Sequence, residues 1–488
     1  MFRSLRAFMV VVTAAFAQVA QADDLEQLTL LTLPSAPPDQ PARETQADPK
    51  PAISRPEPAD QRGARRALTI VVGGDLGLNA HGQPAEPNGA RRHGAFLAWA
   101  DLTTGIRPLI DGDLNFANLE TVVTARNDLP AEAKTFNFHS HPSGVRHLAG
   151  LGFNLLSTAN NHAIDFGAMG MRMTMAHLDS LKAEGLILAH AGVGLNREAA
   201  GRPQQVAVKG VPIAFAALGI DSGGRAGPDR PGLMAWRAPE DVEAVIDGLG
   251  RAVADYRILS VHYGREREVE TDRGTIAKLR HQALITGGVD LVAGHHAHVV
   301  QGIEITDGRL IFYGLGNLLH PGMQNMNGFG LCQDYGLLAR IHLAGAETGR
   351  LKMVAVEAIP IGNMHWTAER MAPERAAERI HVLNHLAAAL DDRTSSARGL
   401  RFAPQPDGSG LHCEAGAELE PGRVAGLCQG WAGVTPTPAP LKARIAAACG
   451  RGGVASAAPR GEPATKPQTV AAPARGGSDW QRNVFGGN

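Results

Sequence analysis

LLSTANNHAIDFG, Leu155 to Gly167, ends a short apolar run in two amides, an imidazole and a carboxylate. Asn and Asp are ordinary turn residues, but an imidazole placed between them is more than a turn requires. In α/β domains, loops leaving neighbouring strands converge at the carboxyl ends of the strands, where the rigid sheet fixes their spacing. The stretch therefore directs attention to how the other apolar runs of the chain end.

They end in the same way. The apolar runs are LTIVVGG from Leu68, NFANLE from Asn115, FNLLSTA from Phe153, VPIAFAAL from Val211, YRILSVH from Tyr256, VDLVAGH from Val289 and LIFYGLGN from Leu310. Asp75 follows the first and Glu120 closes the second. Asn160, Asn161 and His162 follow the third, His262 ends YRILSVH, and His295, His296 and His298 close or follow VDLVAGH. Helical patterns fill several gaps; in GMRMTMAHLDSLKAEG from Gly170, Met171, Met175, Leu178 and Leu181 share one face, as core-packing residues do. Apolar strands alternating with helices predict an α/β layered domain over about 67–363, with GLLARIHL and LKMVAVEAIPI adding β structure near its end.

Composition bounds the rest. The chain has 488 residues, 44% apolar and 19% charged, enough for a large core. Lys+Arg 47 against Asp+Glu 48 gives a net charge of -1, and no basic stripe interleaves with aromatics, so no nucleic-acid partner is expected. MFRSLR, the apolar AFMVVVTAAFAQVA and the small residues Ala20 and Ala22 predict a signal peptide over 1–22 and a periplasmic or otherwise exported protein. The alternative is an uncleaved N-terminal membrane anchor, although the run is short of the roughly 20 residues a spanning helix needs. Pro-rich residues 23–66 read as a solvated linker, and the Ala, Gly, Pro and Arg of 451–488 as a low-complexity tail. Residues 364–450 read as a helical, Cys-containing C-terminal module. The chain's four cysteines, Cys332, Cys413, Cys428 and Cys449, allow three complete pairings.

The clustered groups carry their own chemistry. Three imidazoles within GHHAHV are costly to bury without partners, and His296 and His298 can aim two nitrogens at one ion. HSH at His139 and His141 has the same spacing but precedes Pro142 away from an apolar strand end, and reads as a surface segment. Carboxylates, an amide and imidazoles together suit Zn, Mn or Fe better than an all-oxygen calcium site. Such an ion lowers the pKa of water and polarises phosphoryl or carbonyl oxygens, so hydrolysis is the expected reaction class. DFG at Asp165–Gly167 has no kinase loops around it and reads as a turn or helix start. GVGLNRE from Gly192 lacks the third glycine of a dinucleotide loop.

These motifs resemble the CapA family of poly-gamma-glutamate capsule biosynthesis proteins, within the calcineurin-like metallophosphatase superfamily. The resemblance runs through GGDLGLN, FANLETVVT, STANNHAIDFG, AGVGLNREA, LSVHYGRERE, GGVDLVAGHHAHVVQGIE and LIFYGLGNLL, over about 67–320. It implies a four-layer α/β/β/α sandwich, one or two divalent ions, an anionic polymer or phosphoester substrate, and a capsule-synthesis membrane complex as partner. By motif, Asp75, Glu120, Asn161, His262, His296 and His298 resemble the metal ligands, and His162 the histidine that donates a proton or orients phosphate. Asn160, Glu266, His295 (a register alternative) and Asn317 are additional site candidates. One departure stands out: metallophosphatases generally have Asp-x-His where this chain has Asp75-Leu76-Gly77, and Gly77 supplies no ligand.

Overall fold

Two large sheets carry the fold. In chain order their main strands are β1 (Arg66–Leu76), β2 (Leu114–Leu119), β3 (Leu155–Ser157), β4 (Ala189–Ala191), β5 (Gln204–Val208), β6 (Val211–Leu218), β7 (Tyr256–His262) and β8 (Leu291–His295). There follow β9 (Ile303–Thr306), β10 (Arg309–Phe312), β11 (Asn317–Leu319), β12 (Gly336–Gly345), β13 (Lys352–Gly362), β14 (Arg398–Gly399), β15 (Ala403–Pro404) and β16 (Gly410–Cys413). The first sheet runs β15, β16, β13, β12, β1, β2, β3, β4, with β11 also paired to β1; the second runs β5, β6, β7, β8, β10, β9, β14. This computed structural model describes residues 66–450, apart from 93, 221–223, 347, 421 and 422. The expected leader at 1–22, all but Arg66 of the linker, and the tail at 451–488 lie outside the described residues.

Why the strand runs are apolar nearly throughout becomes clear from the two faces of the second sheet. Ile213, Phe215, Ile258, Leu291, Ala293, Leu310 and Phe312 belong to one core together with Ile70, Val72 and Phe116 of the first sheet. The alternate residues Ala214, Ala216, Leu259, Val261, Val292 and Ile311 belong to a second core. Period-2 alternation thus sends one side chain toward the other sheet and the next toward helices, and both sides are dry. Phe116 of β2 meets Phe215 of β6 edge to face, with ring centroids 5.8 Å apart.

The helix covering the outer side is encoded plainly. α1 (Pro239–Arg251) starts with Pro at a position whose N–H has no helical partner, carries Glu240 and Asp241 in its first turn, and has Arg251 in its last. Val242, Val245, Ile246 and Leu249 recur at helical spacing and are buried in the second core. The Met171 helix, Gly167–Ala183, likewise buries Met171, Leu178 and Leu181, with Met175 partly packed.

One run departs from its sequence reading in a way that builds the site. LIFYGLGN is not a single strand: β10 belongs to the second sheet and β11 to the first. The chain crosses between them through Gly316, whose φ of 68° lies in the left-handed region that favours glycine. A Cβ at Gly74 would stand 1.9 Å from the Gly316 carbonyl oxygen, so the crossing also needs glycine on β1. The result sets Asn317 opposite Asp75.

Residues 364–450 supply β14, β15 and β16. β16 pairs with β13, Glu357 opposite Leu411, and β14 pairs with β9, so strands of this segment extend both sheets. Its helix Pro373–Ala388 buries Ile380, Val382, Leu383 and Leu386 in the main core. The cysteines pair as Cys332–Cys449 and Cys413–Cys428.

Candidate metal centre

The carboxyl ends of both sheets meet at one buried cluster. Asp75 ends β1 between two amides in register, Asn118 of β2 and Asn317 of β11. Asn118 Nδ2 donates to Asp75 Oδ1 at 2.9 Å and also lies 3.2 Å from His262 Nδ1. In the second sheet His262 and His295 are neighbours across β7 and β8. His295 Nδ1 is 3.2 Å from Asp75 Oδ1, and His298 Nδ1 is 3.2 Å from Asp75 Oδ2. Asn317 Oδ1 lies 2.9 Å from the same His298 nitrogen and so orients that ring.

Glu120 occupies the middle. It is fully buried, and neither carboxylate oxygen has a hydrogen bond among the described residues. His262 Nε2 stands 3.4 Å from Oε1, His162 Nε2 3.9 Å from Oε1, and His298 Nδ1 3.9 Å from Oε2. Potential ligand atoms of Glu120, His296 and His298 lie within 4.8 Å of one another, as do those of Asp75, Glu120 and His262. A buried carboxylate without hydrogen bonds is costly to keep charged unless cations stand beside it. Carboxylate oxygens and imidazole nitrogens converging on this point are donors that divalent cations take, so these residues fit a divalent cation.

The backbone contributes as well. His296 and His298 have φ of 86° and 55°, conformations that non-glycine residues adopt at a cost of roughly 1–3 kcal/mol each. The His296 amide donates to Asp75 Oδ2 at 3.2 Å, which helps hold the loop. Such strain is concentrated where a loop must aim particular side chains.

Electrostatics report the same crowding. Burial opposes charge on Asp75, but His295 and His298 outweigh it and hold the carboxyl well below its ordinary range. Burial and the Asp75 charge push Glu120 well above its own. Burial also works against charge on His298, yet Glu120 and Asp75 raise it to about 9. His296 is pushed down to about 3 by burial and by His298, and His262 falls well below its ordinary value for the same kinds of reason. Without a cation, protons must do the neutralising among two carboxylates and their imidazoles.

His162 sits at the edge of the cluster. Its Nδ1 is 2.8 Å from Asp165 Oδ2, and Phe138 packs against the ring at 4.5 Å between centroids. Asp165 is fully buried, pairs with Lys134 and accepts from the Phe138 amide at 2.5 Å. With Nδ1 engaged, Nε2 is the nitrogen that faces Glu120. Burial lowers the His162 pKa against the opposing pull of Asp165.

The other sequence candidates separate cleanly. Asn161 is half-buried, and its Oδ1 is 2.6 Å from His262 Nε2, inside the cluster. Asn160 instead holds the loop: Nδ2 donates to the Leu119 carbonyl at 2.9 Å, and Oδ1 accepts from the His162 amide at 3.1 Å. Glu266 is exposed after β7 and acts on Glu120 and His298 through its charge alone. His139 and His141 lie elsewhere, in contact with Asn127 and Ser143. Asn118, Lys134 and His320 are not among the sequence candidates, and Asp165 reads in the sequence as a turn or helix start. Asp165 does carry a signal, standing three residues after His162 in the same turn.

Comparison with known proteins places these motifs. The model of the family described as bacterial capsule synthesis protein PGA_cap matches residues 69–321. The PGA biosynthesis protein CapA of Bacillus subtilis (strain 168) is 30% identical over 246 residues, 49% of this chain and 60% of that protein. The protein named "Probable polyglutamine synthesis accessory protein" from Mycobacterium tuberculosis (strain ATCC 25618 / H37Rv) is 28% identical over 307 residues, 60% of this chain and 76% of that one. Among solved structures, a 5'-nucleotidase precursor from Thermus thermophilus superposes with a TM-score of 0.33 at 14% identity, covering 67% of this chain and 60% of that one. The chain thus spans about 60% of the length of its Bacillus subtilis relative.

Proposed function

We propose, for a chain that belongs to the bacterial capsule synthesis protein PGA_cap family, that the buried cluster is a divalent-metal centre serving the synthesis, transfer or export of poly-gamma-glutamate or a similar anionic envelope polymer. The observation that carries this reading is Glu120: a fully buried carboxylate with both oxygens free of hydrogen bonds among the described residues, ringed by Asp75 and histidines. Asp75, Glu120, Asn161, His262, His296 and His298 would hold one or two ions. When bound, such an ion supplies Lewis acidity toward phosphoryl or carbonyl oxygens and a source of hydroxide near neutral pH.

The chain's own residues do the rest. Asp165 fixes the His162 ring, so that Nε2 can take up or deliver a proton at the edge of the cluster. Lys134 donates to the Asn161 carbonyl at 2.7 Å and pairs with Asp165, tying the ligand loop to the residue that orients His162. Two disulfides among the described residues fit an oxidising compartment outside the cytoplasm. No helix among the described residues is long and apolar enough to cross a membrane.

Metal analysis of the purified chain, joined to a turnover screen over gamma-glutamyl polymers and phosphoesters, tests the reading. Metal with activity on the polymer supports it. Turnover confined to simple phosphodiesters points instead to a general phosphoesterase, and bound metal without turnover to a binding scaffold.

A further inference from the structure

Gly77 stands where metallophosphatases generally carry a histidine, and the structure shows what occupies the space. A Cβ built on Gly77 would lie 2.9 Å from His320 Nε2 and 3.0 Å from its Cε1. Gly77 is not among the residues with positive φ, so its glycine is required by room and not by backbone conformation. The two positions are locked together: Leu76 pairs with Leu319 across β1 and β11, and the Gly77 amide donates to the Leu319 carbonyl at 2.9 Å. The His320 backbone is anchored in turn by its own amide on the Met364 carbonyl at 2.7 Å.

The only backbone group acting on the His320 ring among the described residues is that of Glu120, the carboxylate residue at the middle of the cluster. The ring is fully buried, and neither Nδ1 nor Nε2 makes a well-formed hydrogen bond among the described residues. Phe138 packs against the ring with centroids 5.0 Å apart, a contact a phenyl or isobutyl group would make equally well. Burying polar atoms of this kind without a hydrogen-bond partner is a cost that a purely packing residue would avoid. On its other side the ring faces His298, at 6.4 Å between centroids and 73° between planes. Two imidazoles on one tetrahedral ion have centroids roughly 5 Å apart, so His320 stands just beyond that separation, at the border of the ligand-atom groups formed by Glu120, His296 and His298 and by Asp75, Glu120 and His262.

We propose that His320 supplies, from across the β1 and β11 pair, the imidazole ligand that Gly77 lacks, and completes a donor set with Asp75, Glu120 and His298. This rests on the metal centre proposed above. It makes the pair Gly77 and His320 one unit: the glycine creates the room and the histidine fills it with a donor.

The test uses the full chain, stripped of metal and titrated with Zn2+ or Co2+ against a competing chelator, with melting temperature and metal stoichiometry read for each variant. His320→Phe keeps a buried aromatic ring and should fold, yet lose one equivalent of metal or at least tenfold in affinity, and change the visible spectrum of the Co2+ form. Gly77→Ala removes no donor but collides with the His320 ring, and should weaken metal binding in the same direction. Wild-type stoichiometry and affinity in a folded His320→Phe variant overturn the assignment. If that variant does not fold, unchanged metal affinity in Gly77→Ala overturns it. A wild-type chain that binds no divalent metal overturns the metal centre as a whole, and the His320 assignment with it.

Discussion

Asn161 Oδ1 lies 2.6 Å from Nε2 of His262, a side chain of the first sheet's loop meeting one from the end of the second sheet's β7. That nitrogen is also 3.4 Å from Glu120 Oε1, so amide and imidazole point to a common spot beside the buried carboxylate. Its sequence neighbour His162 points to the same carboxylate from a different partner, Asp165. The two should therefore fail differently. Asn161→Ala is expected to lower metal occupancy, whereas His162→Ala keeps the metal and loses turnover by roughly 10²–10⁴-fold. Metal stoichiometry, melting temperature and rate for each variant decide it; metal loss in the His162 variant alone would reverse the roles.

The two His-x-His pairs offer a second contrast. Replacing His296 and His298 with Ala should abolish metal binding, because both rings belong to the cluster. Replacing His139 and His141 should leave metal content unchanged. His141 caps the helix Pro142–Leu151 by accepting from the Ser143 amide, so that pair should cost stability of about 1 kcal/mol. Equal metal loss in both double variants would remove the centre from its assigned place.

Acid stability should respond to Asp241, far from the cluster. This buried carboxylate accepts from Arg225 at 2.8 Å, from Arg197 at 2.9 Å and from the Ala235 amide at 2.9 Å. Burial alone would raise its pKa, but Arg225 and the Ala235 amide outweigh it and bring it below the ordinary carboxylate value. A depressed folded-state pKa contributes stability that is present above the unfolded value of about 3.9 and is lost as pH falls through the folded one. Asp241→Asn should destabilise the protein near neutrality and flatten its stability profile below about pH 4, as denaturant titrations at several pH values would show. A parallel loss at all pH values would rule out this carboxylate as a source of the acid dependence.

The two disulfides should contribute unequally. Cys332–Cys449 spans 117 residues and Cys413–Cys428 spans 15. Chain-entropy arguments give slightly under ~5 kcal/mol for the long loop and about 3 kcal/mol for the short one. Paired Cys→Ser variants compared by denaturant unfolding should rank in that order; the reverse order would show that restriction of the unfolded chain is not the main effect.

Much of this site was legible because its residues follow apolar runs whose burial on both faces leaves few other readings. Asp75, Glu120, His262 and His298 each lie at a strand's carboxyl end, and the predicted α/β class follows from the same runs. Asn118 was missed because an amide inside a strand carries no signal until its neighbours Asp75 and His262 are known. Asp165 reads in the sequence as a turn or helix start, and it does close a turn: its amide donates to the His162 carbonyl at 3.3 Å while its side chain orients the His162 ring.

What the sequence alone determined is local: which segments are strands, which helix faces are apolar, and which polar side chains leave a strand end together, since each depends on residues a few positions apart. Tertiary structure alone decided what joins segments far apart. It split LIFYGLGN between two sheets at Gly316, chose Cys332–Cys449 and Cys413–Cys428 among three pairings, and built β14 and β16 into opposite sheets. It also placed His320 against Gly77. The physical reason is the same in each case: these contacts are selected by the packing of two sheets on a shared core, and neither member of such a pair carries a pattern that names the other.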